Sequence, residues 1–192
     1  MADGIEIREL AWAEFAPHFK AHRDTVFAGD HSYPLTAALD EAARARLMAL
    51  DRHMADVLDL NLGAFDAEGR FVGWAFGVQE SRGRFYMINS AVLPGYRRQG
   101  IYTALLTRTL AKAAERGFQV VTSRHAATNN AVIIPKLKAG FTISGMELDD
   151  VFGTLVHLRY DLNPLRREVL RYRAGDLAPS ARVQALFDGG TG

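Results

Sequence analysis

The chain has 192 residues, 48% hydrophobic and 23% charged, which suits one globular domain with a short appended segment. Its 23 basic and 22 acidic side chains leave a formal charge of +1, so nothing argues for bulk attraction to nucleic acid, and any anion preference must be local. With no cysteine, disulfides, thiolate metal sites and a thiol nucleophile are excluded together, and with them transfer through an enzyme thioester. The N-terminus, MADGIEIREL, starts acidic and alternating, unlike a targeting peptide, and no apolar run approaches the ~20 residues that span a bilayer. A soluble cytoplasmic protein with no membrane partner is the expectation.

In chain order, Ile5 and Ile7 begin a first strand that runs to Leu10. Phe15, Ala16 and Phe19 then fall at helical spacing between Ala13 and Ala21, interrupted by Pro17, and a second helical stretch spans Thr36 to about Leu50. Between them, Phe27 to Pro34 is rich in breakers and aromatics, and reads equally as the wall of a pocket or as a packed surface loop. His18 and His22 stand four apart with no third ligand nearby, so a solvated pair is expected and no metal. Trp12 and Trp74 read as core.

Leu58, Leu60, Leu62 and Ala64 alternate with polar residues, and Asp66 to Gly69 turns the chain into a second arm, Arg70 to Glu80. There Val72, Trp74, Phe76 and Val78 are expected on one face, while Gly73, Ala75 and Gly77 keep the other low enough for a helix or ligand to lie close. Phe85 to Val92 is the next strand. A helix from Gly100 to Arg116, a strand to Arg124, a helix from Thr128 or Asn129 to Lys138 with a kink or late start at Pro135, and a final antiparallel pair complete the series. The order predicts an α/β (α+β) domain over residues 1–163, a mixed, mostly antiparallel twisted sheet of about seven strands with helices on both faces. Residues 164–192 fall outside that plan as a helical tail, either packed on its own domain or exchanged as an arm in a homodimer.

The chemistry concentrates in AVLPGYRRQGIYTALLTRTL, residues 91–110. Pro94 and Gly95 stop a strand, Gly100 opens a helix, and the first turn of that helix has amides with no partner inside it. The aligned peptide dipoles leave partial positive charge there, Arg97 and Arg98 add full charges, and Gly100 withholds a side chain that would block an oxygen. The segment ends in neither Gly-Lys-Ser/Thr nor Gly-x-Gly-x-x-Gly, and Ile101-Tyr102 stands where a kinase-like loop needs lysine and hydroxyl.

A longer pattern resembles the coenzyme A motif of the GCN5-related N-acetyltransferases (GNAT). It runs Val92-x-Pro94-x-Tyr96-Arg97-x-x-Gly100-Ile101-x-x-Ala104-Leu105-Leu106, with Asn129 and Gly140-Phe141 following. The resemblance implies the acyl-CoA N-acyltransferase fold, acetyl-CoA as cosubstrate without a metal, and direct transfer to a small-molecule or peptide amine in a ternary complex. It implies pantetheine contacts from Val92 and Leu93, and diphosphate contacts from Arg97, Arg98, Gln99, Gly100, Ile101, Tyr102 and Thr103. The side chain of Asn129 is a cofactor contact or a plain helix cap. Two positions depart from the family. Tyr102 replaces a usual Gly or Ala, and Arg98 a frequent Gly.

An amine protonated at neutral pH must lose a proton before it attacks. The family often has an acidic residue on the strand before the turn, where this chain has Asn89 and Ser90. Glu80, Glu147, Asp149, Asp150 and His125 remain as bases, with Glu80 and His125 first because they end strands. The family's leaving-group tyrosine falls at Lys136, for which a surface lysine is the commoner fate. Tyr102 is expected to lie too far from the thioester to substitute. These gaps keep a second reading open, a catalytically silent CoA-binding module.

Overall fold

The computed structural model describes residues 4–28, 34–51, 56–175 and 178–189. In order these form β1 (Glu6–Glu9), α1 (Trp12–Val26), α2 (Glu41–Asp51), β2 (Asp59–Phe65), β3 (Phe71–Ser81), β4 (Arg84–Val92), α3 (Ile101–Glu115), β5 (Val120–Ala126), α4 (Asn130–Lys138), β6 (Thr142–Asp149), β7 (Gly153–Asp161), α5 (Pro164–Arg173) and α6 (Ala181–Asp188). The strands make one sheet ordered β1-β2-β3-β4-β5-β7-β6. Only β4 and β5 run parallel, joined by the α3 crossover. The mixed sheet with helices on both faces agrees with the expectation. Among the described residues no helix is long and apolar enough to cross a membrane.

Each face has its own core. On one, α1 lays Phe15 against Phe65, Phe71 and Trp74. On the other, Ile101, Leu105, Leu106 and Ala113 of α3, with Ile133 of α4, cover Leu60, Leu62, Val72, Phe85, Val121 and Leu158. A register shift between Ala64 and Phe65 opposes Phe65 to Phe71 and leaves Val72 as an extra residue. The bulge reverses the expected alternation, so Val72 sits with Ala75 on the α3 side while Trp74 lies on the α1 side. The small residues of β3 do let neighbours lie close: Ala75 packs in the core under α3, while a side chain at Gly73 would come within 2.9 Å of the Ala91 carbonyl and one at Gly77 would strike the Tyr86 carbonyl.

Other expectations need correction. α1 runs through Pro17 to Val26, because burial of Phe15 and stacking of Phe19 beside it outweigh one lost backbone donor. Trp12 is about half exposed at the start of that helix, whereas Trp74 is fully buried. His18 and His22 stack on Phe71, at 4.7 and 6.0 Å between ring centres, and the described residues contain no cluster of three metal-ligating side chains. The second helical stretch is split at Asp40, whose carboxylate accepts the Ala43 amide at 2.7 Å and so starts α2 afresh after a short 3-10 turn, Leu35–Ala38. Residues 29–33 of the breaker-rich loop lie outside the described residues.

The tail packs back on its own chain. Arg167 donates to the carbonyls of Asp161 and Leu162 and covers the Tyr160 ring, so α5 is tied to the end of β7, and α6 meets α5 through Tyr172 and Phe187.

Candidate active site

The parallel pair is short. β4 and β5 are in register only at Arg84–Val120, Phe85–Val121 and Tyr86–Thr122, after which they part. A bulge at Ile88, between the Gly77–Met87 and Phe76–Asn89 pairs, turns β4 further. The fork so opened leads to a cleft of about 590 Å³. Ser90, Ala91 and Val92 line it from β4, Val26 and Phe27 from the end of α1, and Asn129, Ala131, Val132 and Pro135 from the start of α4. Its mouth is the basic turn: Tyr96, Arg97, Arg98, Gly100, Ile101, Tyr102 and Thr103.

The backbone of that turn is wound for an anion. Gly100 has φ 80° and Arg98 φ 63°, two left-handed residues that point successive amides the same way. The helix's first backbone donation is from Ala104 to the Gly100 carbonyl at 3.0 Å; among the described residues the amides from Arg98 to Thr103 give no bond to any carbonyl outside the helix. A side chain added at Gly100 would meet no atom within 4 Å, so the space above the turn is open. Arg98 stands where the family often has glycine, and the conformation explains that glycine: a side chain there costs about 1–2 kcal/mol.

Side chains brace the turn from below. Arg97 Nε donates to the Val92 carbonyl at 3.1 Å, and Gln99 Nε2 to the Gly95 carbonyl at 3.3 Å. The Tyr96 hydroxyl donates to Asp66 at 2.8 Å, linking the turn to the β2–β3 hairpin. Burial pushes the Asp66 carboxyl up, but the Arg70 amide, the Tyr96 hydroxyl and the Arg70 guanidinium together hold it down at about 2. Asp66 therefore stays ionised as the pivot of this corner.

At the apex of the fork lies a buried polar cluster. Lys136 has no accessible surface, and its Nζ sits between the first residues past the paired segment, 2.7 Å from Ser123 Oγ of β5 and 3.6 Å from Met87 Sδ of β4. Burial lowers its pKa to about 7. His125 Nε2 shares the same Ser123 hydroxyl at 3.0 Å, and burial, then the charge of Lys136, bring its pKa down to about 3. The expected surface lysine is thus the most enclosed cation of the site. Ile133 carries the missed signal, since a buried residue three positions earlier puts Lys136 on the inward face of α4.

The structure gathers part of the expected set. Val92, Arg97, Arg98, Gly100, Ile101, Tyr102, Thr103 and Asn129 line the cleft, and the Asn129 side chain makes no capping bond, which leaves its amide free to face a ligand. Helix α4 starts directly after it and holds Pro135 within its span, so no late start occurs. Leu93 and Gln99 are outside the lining, and the Leu93 amide is already given to the Val72 carbonyl at 2.9 Å. Glu80 is not brought to the cleft. It accepts from Thr122 at 3.1 Å at the closed end of the fork, while the cleft begins at Ser90, four residues beyond Tyr86 and about 13 Å along the strand. Sequence reasoning missed Val26, Ser90, Ser123 and Met87, all joined to the site by pairings distant in sequence.

This arrangement, a parallel pair that splits beside a left-handed basic turn, defines an acyl-CoA-type transferase fold. The family model described as "Acetyltransferase (GNAT) family" matches residues 5–141, and the chain belongs to that family. No curated protein sequence matches it significantly. Solved structures agree on the fold. The structure of yncA from Salmonella typhimurium, solved with its cofactor acetyl-CoA, is 17% identical with a TM-score of 0.62, covering 92% of this chain and 98% of that one. The ribosomal-protein-S18-alanine N-acetyltransferase of Escherichia coli is 20% identical with a TM-score of 0.58, covering 83% and 94%. The spermidine N-acetyltransferase of Vibrio cholerae is 11% identical with a TM-score of 0.60, also covering 83% and 94%.

Proposed function

We propose that the protein transfers the acetyl group of acetyl-CoA directly to the nitrogen of an amine acceptor in a ternary complex. The observation that carries this reading is the row of amides from Arg98 to Thr103, unspent among the described residues and under open space, at the mouth of a cleft that β4 lines beyond the fork. They would hold the diphosphate, aided by the Arg98 charge, with Val92 and the Asn129 amide along the pantetheine arm. Acetyl-CoA bound by yncA and the amine acceptors named for two neighbours support the choice of substrates.

The attacking amine needs to lose a proton. Lys136 and His125, linked through Ser123, are the groups the apex offers: the lysine exchanges its proton near pH 7 and the histidine stays neutral. Neither lines the cleft, so on this reading they act through a relay and not by contact. One observation favours the second reading, a silent CoA-binding module: no carboxylate and no histidine lines the cleft among the described residues.

Calorimetry with acetyl-CoA, paired with thiol release over a panel of polyamines, amino acids and peptide N-termini, separates the two. Binding with release on at least one acceptor is expected. Binding without release on any acceptor would hand the site to the silent module.

A further inference from the structure

The sheet ends at β6, and among the described residues no other strand pairs with its outer side. Ile143 pairs with Leu158 and Met146 with Val156, so both stand on the face where Leu158 and Val156 enter the core under α3 and α4. A register shift at Ser144 keeps the two together, and Leu148 follows on the same side. Yet Ile143, Met146 and Leu148 are 52%, 68% and 86% exposed, because α4 stops short of them. That helix turns Ile133 and Lys136 to the sheet and Val132 to the cleft, which puts Ile134 and Leu137 on its other flank, toward β7 and β6. These two are exposed as well. The five form one step, a helix flank above the open face of a strand.

Area and charge select the occupant. At roughly 200 Å² for a whole residue of this size, the five expose on the order of 600 Å², the upper end of what a lone domain carries in one patch and about three-quarters of the ~800 Å² that each partner gives to a standard interface. An interface so apolar is of the kind formed between copies of one chain. No charge breaks into the patch from β6, since Glu147 points to the other face, where it meets His157 at 2.6 Å. Charges stand instead at its two ends, with opposite signs. Lys138 is exposed at the end of α4, beside the start of β6, and Asp149 and Asp150 lie at the far end of the strand. An antiparallel approach of two such strands lays apolar side chains on apolar ones. It also sets the Lys138 end of each copy against the Asp149 and Asp150 end of the other.

We propose that this face is the interface of a homodimer, in which two copies meet across β6 and the outer flank of α4 about a two-fold axis, with the β6 strands antiparallel. The surface is distinct from the tail, which packs on its own chain. The contact braces α4 from outside, while the other sides of that helix hold Lys136 to the fork and Val132 to the cleft. Association of this kind is independent of what the cleft binds.

The test is the mass of the full chain in solution, by sedimentation between about 0.1 and 100 μM, where a dimer with a dissociation constant below about 10 μM is expected. Leu148 is exposed in one copy and buried in the pair, so Leu148→Lys should leave the far-UV spectrum unchanged and raise that constant at least ~100-fold, as each dimer loses two apolar contacts and buries two charges. Met146→Lys should do the same, which guards against a local effect of either substitution. Lys138→Glu should weaken the dimer about 3- to 10-fold, and adding Asp150→Lys to that chain should restore it. A parent that stays monomeric at about 100 μM overturns the proposal, even if an unlike protein binds the surface. So does a dimer that both lysine substitutions leave intact. Failure of the charge exchange to restore association overturns the antiparallel arrangement.

Discussion

At the mouth of the cleft the backbone is strained and, among the described residues, its amides are unspent; at the apex of the fork, the polar groups are bonded to one another. The mouth places Arg98 and Gly100 in left-handed conformations with open space above. The apex closes Lys136, Ser123 and His125 on one another beneath Met87. Both arrangements are costly, and the costs differ in kind. The first is conformational strain held ready for an anion, while the second is desolvation of a cation that ends the pairing of β4 with β5. The contrast separates a surface that waits for its ligand from an interior that sets the shape of the opening.

The largest effect is expected at the mouth. Gly100→Glu puts a carboxylate into the open space above the amides, where it would repel a diphosphate and take its place at the helix N-terminus. Acetyl-CoA affinity should fall by at least 100-fold in calorimetry. The fold should persist, with a loss of about 1–2 kcal/mol from a side chain at φ 80°. Retained affinity would show that the turn does not carry the cofactor.

At the apex, the expected change is in stability and its pH dependence. Lys136 titrates at about 7 when folded against 10.5 as an unperturbed side chain. Its folded pKa is lowered, so the proton is lost more easily in the native state. Between pH 7 and 10.5 the native lysine has already lost its proton while the unfolded chain still holds one, so stability increases with pH across this window by an amount on the order of 5 kcal/mol; below 7 both states are protonated and the penalty is constant. Lys136→Met keeps the volume and leaves Ser123 bonded to His125. Denaturant titrations should show a more stable protein at pH 7 by about 1–4 kcal/mol, without the alkaline rise of the parent. If the relay operates, turnover falls by about 100-fold in the same variant. A stable, pH-insensitive variant with full turnover would leave the cluster as a wedge alone.

The same contrast explains what the sequence disclosed. The mouth is a continuous stretch, Pro94 to Thr103, whose glycines, arginines and apolar period can be read without knowing what lies around them. So can the order of strands and helices, since each repeats locally. The apex joins Met87, Ser123, His125 and Lys136 from three elements, and no spacing in the chain announces that they meet. The bulge that parts Val72 and Trp74 to opposite faces is decided by how β2 pairs with β3, and the passage of α1 through Pro17 by aromatic packing on the sheet. Glu80 shows a related limit: the end of a strand does not say which end of the fork is open.

The smallest effect, and the finest test of strain at the mouth, is at Arg98. Its φ of 63° costs a residue with a side chain about 1–2 kcal/mol, whereas glycine adopts it freely but loses about 0.5–1 kcal/mol in chain entropy on folding. Arg98→Gly should therefore gain about 0.5–1 kcal/mol and raise the melting temperature by about 2 °C. Arg98→Ala removes the same charge but keeps a β-carbon in the left-handed region, so it should show no gain. Both should weaken acetyl-CoA binding by a similar few-fold at low ionic strength, with the deficit shrinking as salt screens the lost arginine. The difference between the two variants in melting then reports backbone strain, and their shared deficit in binding reports charge. If glycine were no more stable than alanine, the left-handed turn would not be the strained element described, and the amides it aligns would need another cause for their direction.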